Sequence, residues 1–564
     1  MTTFLNFFVN LWRLLRNAYA RFFRRPPDYV VLEIGGALPE FEARVGFLRR
    51  RFAPGPSGPS LEGLRGRLAR VSADGRCRGV VLRIQNLDAG WASLEELRNE
   101  ISLFRQRGGK VVAYLVEPDT RDYYLACATD EIIATPVSTL NVRGLRTKVN
   151  FLKDALRKVG VEAEVVAVSP YKSAGDTLTR NDFSEEAREQ AERLLDGRFG
   201  ELVDAISGGR GMSLEEVKEK IDLAPYGAPA AHAEGFFDSV CYEDELSDKL
   251  GVGGERARLA EWGSARRALA VPYRKTHRRK VGVVSLSGTI VRGKSRKLPV
   301  PLPLIGSEQA GSESVVGALR LAEKNRRVAA VLFHVDSRGG DALASDLIWR
   351  EVQRITAKKP VVVLMGDAAA SGGYYVAAPA SHIIARRTTI TGSIGVVITR
   401  PVTARLYEKL GVNPVAIERG ARSGLLDVSR NPGPNEIGVL RDQLGFFYDG
   451  FKDRVSKGRN LALDSLENFA GGRVWSGAEA LENGLVDETG GFRIALEKAC
   501  ELAGIEADPA EAPLKIPPPA MGRPMPGDPA GNAAETVQTL VQALFGLRKP
   551  AVWAALPYEI SDDW

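Results

Sequence analysis

Cysteine is scarce in this chain, with four residues among 564. The four lie far apart, and none stands within a few residues of a histidine: Cys77, Cys127, Cys241 and Cys500. A zinc site needs close Cys/His pairs, and a disulfide framework needs a dense cysteine pattern, so neither is predicted. We expect buried free thiols, no metal and no cofactor, which is consistent with a reducing compartment.

Long apolar runs and concentrated charge are lacking too. The net charge of +7 is spread over the whole chain, with no basic stripe carrying interleaved aromatics, so no nucleic-acid partner is predicted. The longest charge-free run near the N-terminus is residues 1–12, whereas a bilayer span takes about 20 residues. No small-residue cleavage site follows it, so neither a transmembrane helix nor a secretory signal is predicted.

Residues 1–28 instead predict an amphipathic basic helix that ends at Pro26-Pro27. Residues 1–25 contain five arginines and no acid. At 100° per residue one face is apolar: Phe4, Phe8, Leu11, Leu15, Ala18, Tyr19 and Phe22. The opposite face is polar: Asn6, Asn10, Arg13, Asn17, Arg21 and Arg24. We expect residues 1–25 to lie on a membrane surface with the arginines toward anionic headgroups; packing on the protein or on a partner subunit is the alternative.

The rest of the chain repeats itself at an offset of about 250 residues. "YYLACATDEIIATPVSTLNVRG" (123–144) aligns with "YYVAAPASHIIARRTTITGSIG" (374–395), and "YGAPAAHAEGFFD" (226–238) aligns with "WSGAEALENGLVD" (475–487). Each half alternates buried aliphatic strands with helices, which predicts parallel βαβ units in an α/β fold. We place the two repeats at 29–272 and 273–510.

A tail, residues 511–564, follows the second repeat. It is rich in proline and glycine, and we expect it to be mobile apart from a short helix at "AAETVQTLVQALFG" (533–546). Its end, "AVWAALPYEISDDW", is apolar and then acidic. We expect this end to pack on the surface; reaching a cleft as a pseudo-substrate is the alternative.

Ser371, in "VVVLMGDAAASGGYYVAAPA" (361–380), stands where a buried strand passes into a helix. Gly372 and Gly373 allow a tight turn there, as an exposed nucleophile would need. Helix capping by Ser371 is the plainer interpretation. In the first repeat Thr120 falls near the same place.

A second loop, "HVDSRGGDALAS" (334–345), carries Gly339-Gly340 between a strand and a helix. Adjacent glycines let backbone N–H groups face a ligand, as an oxyanion hole requires, although a sharp βα turn also uses them. The equivalent loop of the first repeat, "IQNLDAGWAS" (84–93), lacks the pair. The second repeat is therefore predicted to carry the nucleophile, and the first repeat is a decayed copy.

A serine nucleophile needs a base, and no histidine stands in a loop that obviously faces Ser371. The chain has four: His232, His277, His334 and His382. Lys172, in "AVSPYKSAGDTLTR" (167–180), is the better candidate, because desolvation lowers the pKa of a lysine and leaves a neutral amine that can accept a proton at ordinary pH. Its repeat partner is Arg422, which cannot act as a base. A complete site thus takes the serine from one repeat and the lysine from the other.

Four of these segments together resemble the signal peptide peptidase A family in its long, double-repeat form: "YKSAGD", "AASGGYY", "TGSIGV" and "GGRVWSGAEALENGLVDETGG". The resemblance covers about residues 30–510, in the family order. It implies a ClpP/crotonase-like fold and a serine endopeptidase that cleaves hydrophobic peptides such as signal-peptide remnants without a cofactor. It also implies a homo-oligomer, a tetramer in the long form.

By position, the resemblance makes Ser371 the nucleophile, Lys172 the general base and Ser393 the residue that orients the lysine. Gly339, Gly340 and the N–H of Gly372 then form the oxyanion hole.

The chain departs from the family pattern in two places. Arg338 replaces a common proline, and we expect a less rigid loop or an ion pair with Asp341 or a peptide carboxylate. The usual membrane-spanning helix is missing, so a peripheral position on the cytoplasmic face is expected. Two rival functions stay open: a crotonase-like acyl-CoA enzyme, and an inactive membrane-associated scaffold.

Overall fold

The structure is a computed structural model that describes residues 2–42, 59–273, 279–302, 306–506, 513–516 and 552–555. The chain divides into two compact units. Unit 1 comprises residues 1–146, 195–276 and 562–564, and unit 2 comprises residues 147–194 and 277–561. The predicted helix at 533–546 and the mobility expected of most of the tail concern residues outside the described ranges.

Unit 1 is built around a parallel sheet. Its strands are β1 (Tyr29–Gly36), β2 (Gly79–Leu87), β3 (Lys110–Leu115), β4 (Glu131–Ala134), β5 (Thr139–Leu140), β7 (Tyr226–Gly227), β8 (Ser239–Val240) and β9 (Leu259–Glu261). The sheet order is β8-β4-β3-β2-β1-β9, and β5 pairs with β7 separately. Its helices are α1 (Thr2–Phe23), α2 (Leu61–Ser72), α3 (Trp91–Gln106), α4 (Thr120–Ala126), α8 (Leu214–Asp222), α9 (Ala228–Ala233), α10 (Leu246–Lys249) and α11 (Trp262–Ala268). A 3₁₀ turn, Glu243–Glu245, precedes α10.

Unit 2 has two sheets. Its strands are β6 (Glu162–Ala167), β10 (Lys280–Ser287), β11 (Thr289–Val291), β12 (Arg296–Leu302), β13 (Gly306–Gly311), β14 (Val328–Ser337), β15 (Gly339–Asp341), β16 (Val361–Ala370), β17 (His382–Ala385), β18 (Ile390–Gly392), β19 (Val397–Val402), β20 (Val474–Ser476), β21 (Glu488–Thr489), β22 (Pro513–Lys515) and β23 (Val552–Ala555). One sheet runs β20-β18-β16-β14-β10-β22, with β17 and β21 beside β16, and the other runs β12-β13-β11-β15-β23-β19-β6.

The helices of unit 2 cover the first of these sheets or connect the strands. They are α5 (Lys153–Val159), the 3₁₀ turn Ser173–Gly175, α6 (Asp176–Thr179), α12 (Ser312–Lys324), α13 (Ala342–Thr356), α14 (Gly372–Ala377), α15 (Ala404–Lys409), α16 (Pro434–Arg459), α17 (Leu463–Leu466), α18 (Gly477–Glu482) and α19 (Phe492–Leu502). The division between the units falls within α7 (Glu185–Arg210).

The two repeats fold alike. In unit 1, β1 through β4 lie side by side in parallel, and in unit 2, β10, β14, β16 and β17 do the same. These strands are continuous aliphatic runs because helices cover both faces of the parallel sheet; Val331, Val362 and Ile383, for example, are fully buried. The predicted α/β class, with tandem repeats and parallel sheets, is confirmed.

Residues 147–194 belong to the first repeat in sequence but to unit 2 in structure. Their strand β6 pairs antiparallel with β19, from Val397↔Ala167 to Val402↔Glu162. The repeat boundaries at 272 and 510 describe sequence similarity and stay a prediction, whereas the compact units exchange this segment. The exchange brings the loop that carries Lys172 into the same unit as Ser371.

The N-terminal helix α1 ends three residues before Pro26, as its sequence predicts. In the described part of the chain, no helix has both the length and the apolarity needed to cross a membrane. Cys127, Cys241 and Cys500 are buried free thiols, and Cys77 is half-buried. Burial raises the pKa of Cys127 to about 11, which keeps this thiol protonated.

Candidate active site

Ser371 lies at the corner between β16 and α14 and is fully buried. Its backbone has φ 54° and ψ −115°, a conformation rarely adopted by residues other than glycine. The N–H of Ser371 donates to the carbonyl of Gly392 at 2.8 Å and fixes the corner. Strained backbone of this kind persists where the surroundings hold it, and it is typical of functional positions.

The two following glycines are required by close packing. A Cβ at Gly372 would lie 2.6 Å from Ser345 Oγ, and a Cβ at Gly373 would lie 2.5 Å from the carbonyl oxygen of Ser337. Larger residues would therefore push the Ser371 corner away from the loop that follows β14.

Lys172 lies in the loop after β6, directly before the 3₁₀ turn, and is 2% exposed. Its Nζ is 2.7 Å from Ser371 Oγ, 2.9 Å from Ser393 Oγ and 3.0 Å from the carbonyl oxygen of Ser393. The structure thus brings together the three side chains that the sequence assigned to one site.

Burial lowers the pKa of Lys172 from 10.5 to about 7. A neutral amine offers two N–H donors and one lone pair, and this count fits the three contacts. The N–H groups can donate to the two Ser393 oxygens, while the lone pair accepts the hydroxyl proton of Ser371. The same hydroxyl lies 3.4 Å from the carbonyl oxygen of Gly395, which is a more distant acceptor.

Backbone contacts fix the position of Ser393. It is fully buried, has φ 52°, and donates its N–H to the carbonyl of Arg473 at 2.6 Å. A second backbone hydrogen bond joins the same two segments: the N–H of Gly472 donates to the carbonyl of Ile394 at 2.8 Å. Gly472 has no room for a side chain, because a Cβ there would lie 2.7 Å from Lys172 Cβ.

Gln190, on α7, was not singled out in the sequence, yet its side chain connects the loop that carries Lys172 to the start of β20. Its Nε2 donates to the carbonyl of Tyr171 at 3.2 Å, and its Oε1 accepts the N–H of Val474 at 2.8 Å. The side chain is 1% exposed. The available signal is its position in a buried stripe with helical spacing, between Ala187, Ala191 and Leu194.

The predicted glycine loop lies against the nucleophile. A Cβ at Gly372 would be 3.2 Å from both Gly339 Cα and Gly340 N. Gly339 and Gly340 have φ of 102° and 157°, which other residues rarely adopt. The N–H of Gly339 donates to Ser337 Oγ at 3.1 Å. Gly372 begins α14, where backbone N–H groups lack intrahelical acceptors.

Asp341 is engaged by Arg292 through contacts of 3.0 and 2.7 Å. The same carboxylate caps α13 by accepting the N–H of Ala344 at 2.8 Å. Asp341, one of the two partners expected for Arg338, thus pairs with Arg292.

The described histidines have partners away from Ser371. His232 contacts the carbonyl of Phe237, His334 contacts Ser285 Oγ, and His382 contacts Glu488. His277 lies outside the described residues. The geometry gives no support to a Ser-His-Asp triad among the described residues.

The first repeat has lost the corresponding geometry. Thr120 begins α4, and Asp119 caps that helix by accepting the N–H of Asp122 at 2.9 Å. Ser371, in contrast, makes no side-chain cap on α14. The corner of the first repeat is thus an ordinary capped helix start, as expected of a decayed copy.

A buried serine hydroxyl in contact with a desolvated lysine amine is the arrangement expected of a hydrolase with a serine nucleophile. The model for peptidase family S49 matches this chain twice, at residues 103–254 and 353–506. The chain belongs to this family, in its double-repeat form, and is a serine peptidase.

Three relatives align with most of the chain. It is 34% identical to "Serine protease SPPA, chloroplastic" of Arabidopsis thaliana, over 80% of this chain and 66% of that protein. It is 32% identical to "Protease 4" of Haemophilus influenzae, over 78% of this chain and 73% of that protein. It is 27% identical to "Protease 4" of Salmonella typhi, over 85% of this chain and 78% of that protein.

Proposed function

We propose that the protein is a serine endopeptidase that uses a Ser371/Lys172 dyad and an acyl-enzyme to cleave hydrophobic peptides. The observation that carries the proposal is the 2.7 Å contact between Lys172 Nζ and Ser371 Oγ in a fully buried setting. The lowered pKa of Lys172 leaves much of the amine neutral near pH 7, and only the neutral amine can accept a proton.

In the acylation step, Ser371 Oγ attacks the carbonyl carbon of the substrate peptide bond, and Lys172 takes the hydroxyl proton. The C–N bond then breaks, and the Lys172 ammonium gives that proton to the departing amine. In deacylation, the neutral lysine takes a proton from water, whose oxygen attacks the ester. The ester bond to Ser371 breaks, the acid product leaves, and the proton returns to Ser371.

Backbone N–H groups of Gly340 and Gly372 stabilise the oxyanion that forms in both steps, because the N–H of Gly339 already donates to Ser337 Oγ. Each such donor contributes about 3 kcal/mol to transition-state stabilisation in comparable enzymes. Ser393 orients the lysine, because its two oxygens take the amine N–H groups and leave the lone pair directed at Ser371.

We also propose that α1 holds the enzyme on a membrane surface, where hydrophobic peptides concentrate. Its apolar side chains are exposed, among them Trp12 at 62%, Leu15 at 61% and Phe22 at 80%. An exposed apolar face of this kind is typical of an interaction with a membrane or a protein.

Two arginines of α1, Arg13 and Arg16, donate to the protein rather than facing outward, whereas Arg21 is exposed. Arg16 donates to the carbonyls of Arg266 and Leu269, and Arg13 donates to the carbonyl of Pro272. Because these contacts hold the polar face against unit 1, the apolar face is left for the membrane. Homo-oligomer assembly and a position on the cytoplasmic face stay predictions from the family resemblance.

A fluorophosphonate probe tests the dyad, because it reacts with an activated serine. We expect labelling of the wild type and none of Ser371→Ala. Lys172→Arg keeps the charge but removes the base, so its labelling should fall to a few per cent or less. Thr120→Ala, at the matching position of the first repeat, is the control and should be labelled like the wild type. Full labelling of Lys172→Arg would assign the base to another group.

A further inference from the structure

The second sheet of unit 2 contains a gap one strand wide, and the C-terminal segment fills it. In the order β12-β13-β11-β15-β23-β19-β6, strand β23 (Val552–Ala555) is what joins β15 to β19. It is antiparallel to both neighbours: Ala555 pairs with Gly339 and Ala554 with Gly340, while Trp553 pairs with Val397. Without β23, two strand edges would face each other across roughly 10 Å, which is two strand spacings.

Residues of β15 and residues just before β19, the two strands that border this gap, lie close to Ser371. On one side, Gly339 Cα lies 3.2 Å from the position of a Cβ on Gly372, the residue after Ser371. On the other side, the carbonyl oxygen of Gly395, two residues before β19, lies 3.4 Å from Ser371 Oγ. A chain that occupies the gap therefore runs past the Ser371 corner.

An extended peptide held by its main chain on two strand edges is the binding mode expected of a peptidase substrate. The filling segment reads Val-Trp-Ala-Ala, which is uncharged, and it precedes the acidic end of the chain. Because the hydrogen bonds of the ladder involve main-chain groups, the gap accepts any extended peptide. The side chains of the peptide then determine which sequences bind best.

We propose that Val552–Ala555 acts as an intramolecular pseudo-substrate, so that the full-length peptidase is partly blocked by its own C-terminus. The proposal rests on the proposed function, since only an active enzyme can be inhibited in this way. The sequence analysis favoured surface packing for this end and kept the pseudo-substrate as the alternative; the pairing of Val552–Ala555 with β15 and β19 supports the alternative.

The strength of the block follows from the tether. Covalent attachment gives an effective concentration on the order of 1 mM, so a segment that binds with a Kd of about 0.1 mM would occupy the gap about 90% of the time. Release of the segment should then raise activity about ten-fold.

The test compares kcat/KM on a short fluorogenic peptide, and the rate of fluorophosphonate labelling, for four full-length or nearly full-length proteins. These are the wild type, a truncation after Pro550, Ala554→Pro and the control Gly527→Pro. Proline lacks the N–H that a ladder needs, so Ala554→Pro should release the strand without shortening the chain. We expect the truncation and Ala554→Pro to be about ten-fold faster than the wild type in both assays, and Gly527→Pro to be unchanged.

A synthetic peptide covering residues 550–558 should inhibit the truncated protein competitively and the wild type far less. Equal rates for wild type, truncation and Ala554→Pro would overturn the pseudo-substrate and leave the peptidase assignment intact. If no protein is labelled or turns over peptide, the proposed function fails first.

Discussion

Replacement of Lys172 by methionine should change how the stability of the protein depends on pH. Burial lowers the pKa of Lys172 from 10.5 to about 7, which penalises the buried ammonium by roughly 5 kcal/mol relative to the ammonium of a solvent-exposed lysine. Methionine has a similar length and cannot be charged, so the variant lacks this cost. The same substitution removes the donors to Ser393, which costs about 1–3 kcal/mol for a buried group left without a partner.

The direction of the pH effect follows from proton binding. Between pH 7 and 10.5 the lysine is largely neutral in the folded protein and charged in the unfolded chain, so unfolding takes up a proton. Wild-type stability therefore rises with pH across this window, by about 1.4 kcal/mol for each pH unit. The destabilisation caused by burying Lys172 is fully present below pH 7, where the buried lysine is charged, and is lost above pH 10.5.

Urea unfolding followed by tryptophan fluorescence at pH 7.5, 8.5 and 9.5 measures this slope. We expect the free energy of unfolding of Lys172→Met minus that of the wild type to fall by about 2–3 kcal/mol over this range. Lys324→Met, at an exposed lysine of α12, controls for loss of a positive charge. Parallel pH curves for wild type and Lys172→Met would refute the argument, because they would mean that the lysine carries the same charge in both states.

Four further outcomes are expected. The acylation rate of the wild type should rise through an apparent pKa near 7, measured by labelling rate against pH, because the neutral form of Lys172 is the reactive one; a rate that is flat from pH 5 upward contradicts this. Ser393→Ala should retain the fold but lose about 10²-fold in kcat and shift the pH profile, since the lysine loses one of its two orienting acceptors; an unchanged profile would remove Ser393 from the site. Gln190→Leu should lower kcat with little change in KM, because the bridge between Tyr171 and Val474 positions the lysine loop without meeting substrate, and Gln190→Glu should recover only the contact to Val474; wild-type kcat in Gln190→Leu would reject this role. Trp12→Glu/Leu15→Glu should abolish flotation with lipid vesicles while leaving hydrolysis of soluble peptides intact, with Leu343→Glu, an exposed leucine elsewhere, as the control; undiminished flotation would argue against α1 as the anchor.

The sequence predicts the sheet cores well because their strands are long aliphatic runs that only a doubly covered parallel sheet can bury. It also predicts that Lys172 and Ser371 belong to one site, because the repeat comparison leaves each half with one component. What it cannot supply is the exchange of residues 147–194, since strand pairing between β6 and β19 depends on tertiary contacts rather than on local pattern.

Two other features lie beyond the sequence for the same reason. The helical pattern of α1 defines a polar and an apolar face but not which of them meets the protein; hydrogen bonds from Arg16 to the carbonyls of Arg266 and Leu269 decide that. Four small or apolar residues at 552–555 can pack in many places, and only the open edges of β15 and β19 define where they pair.

The position of residues 147–194 in unit 2 also determines whether two inactive variants can complement each other. Because the loop after β6 places the lysine beside the serine of the same polypeptide, the proposed dyad requires both repeats of one chain to be intact. Two dead variants, one lacking the amine and one lacking the hydroxyl, should stay dead when they are mixed, since neither molecule can lend its intact half to the other.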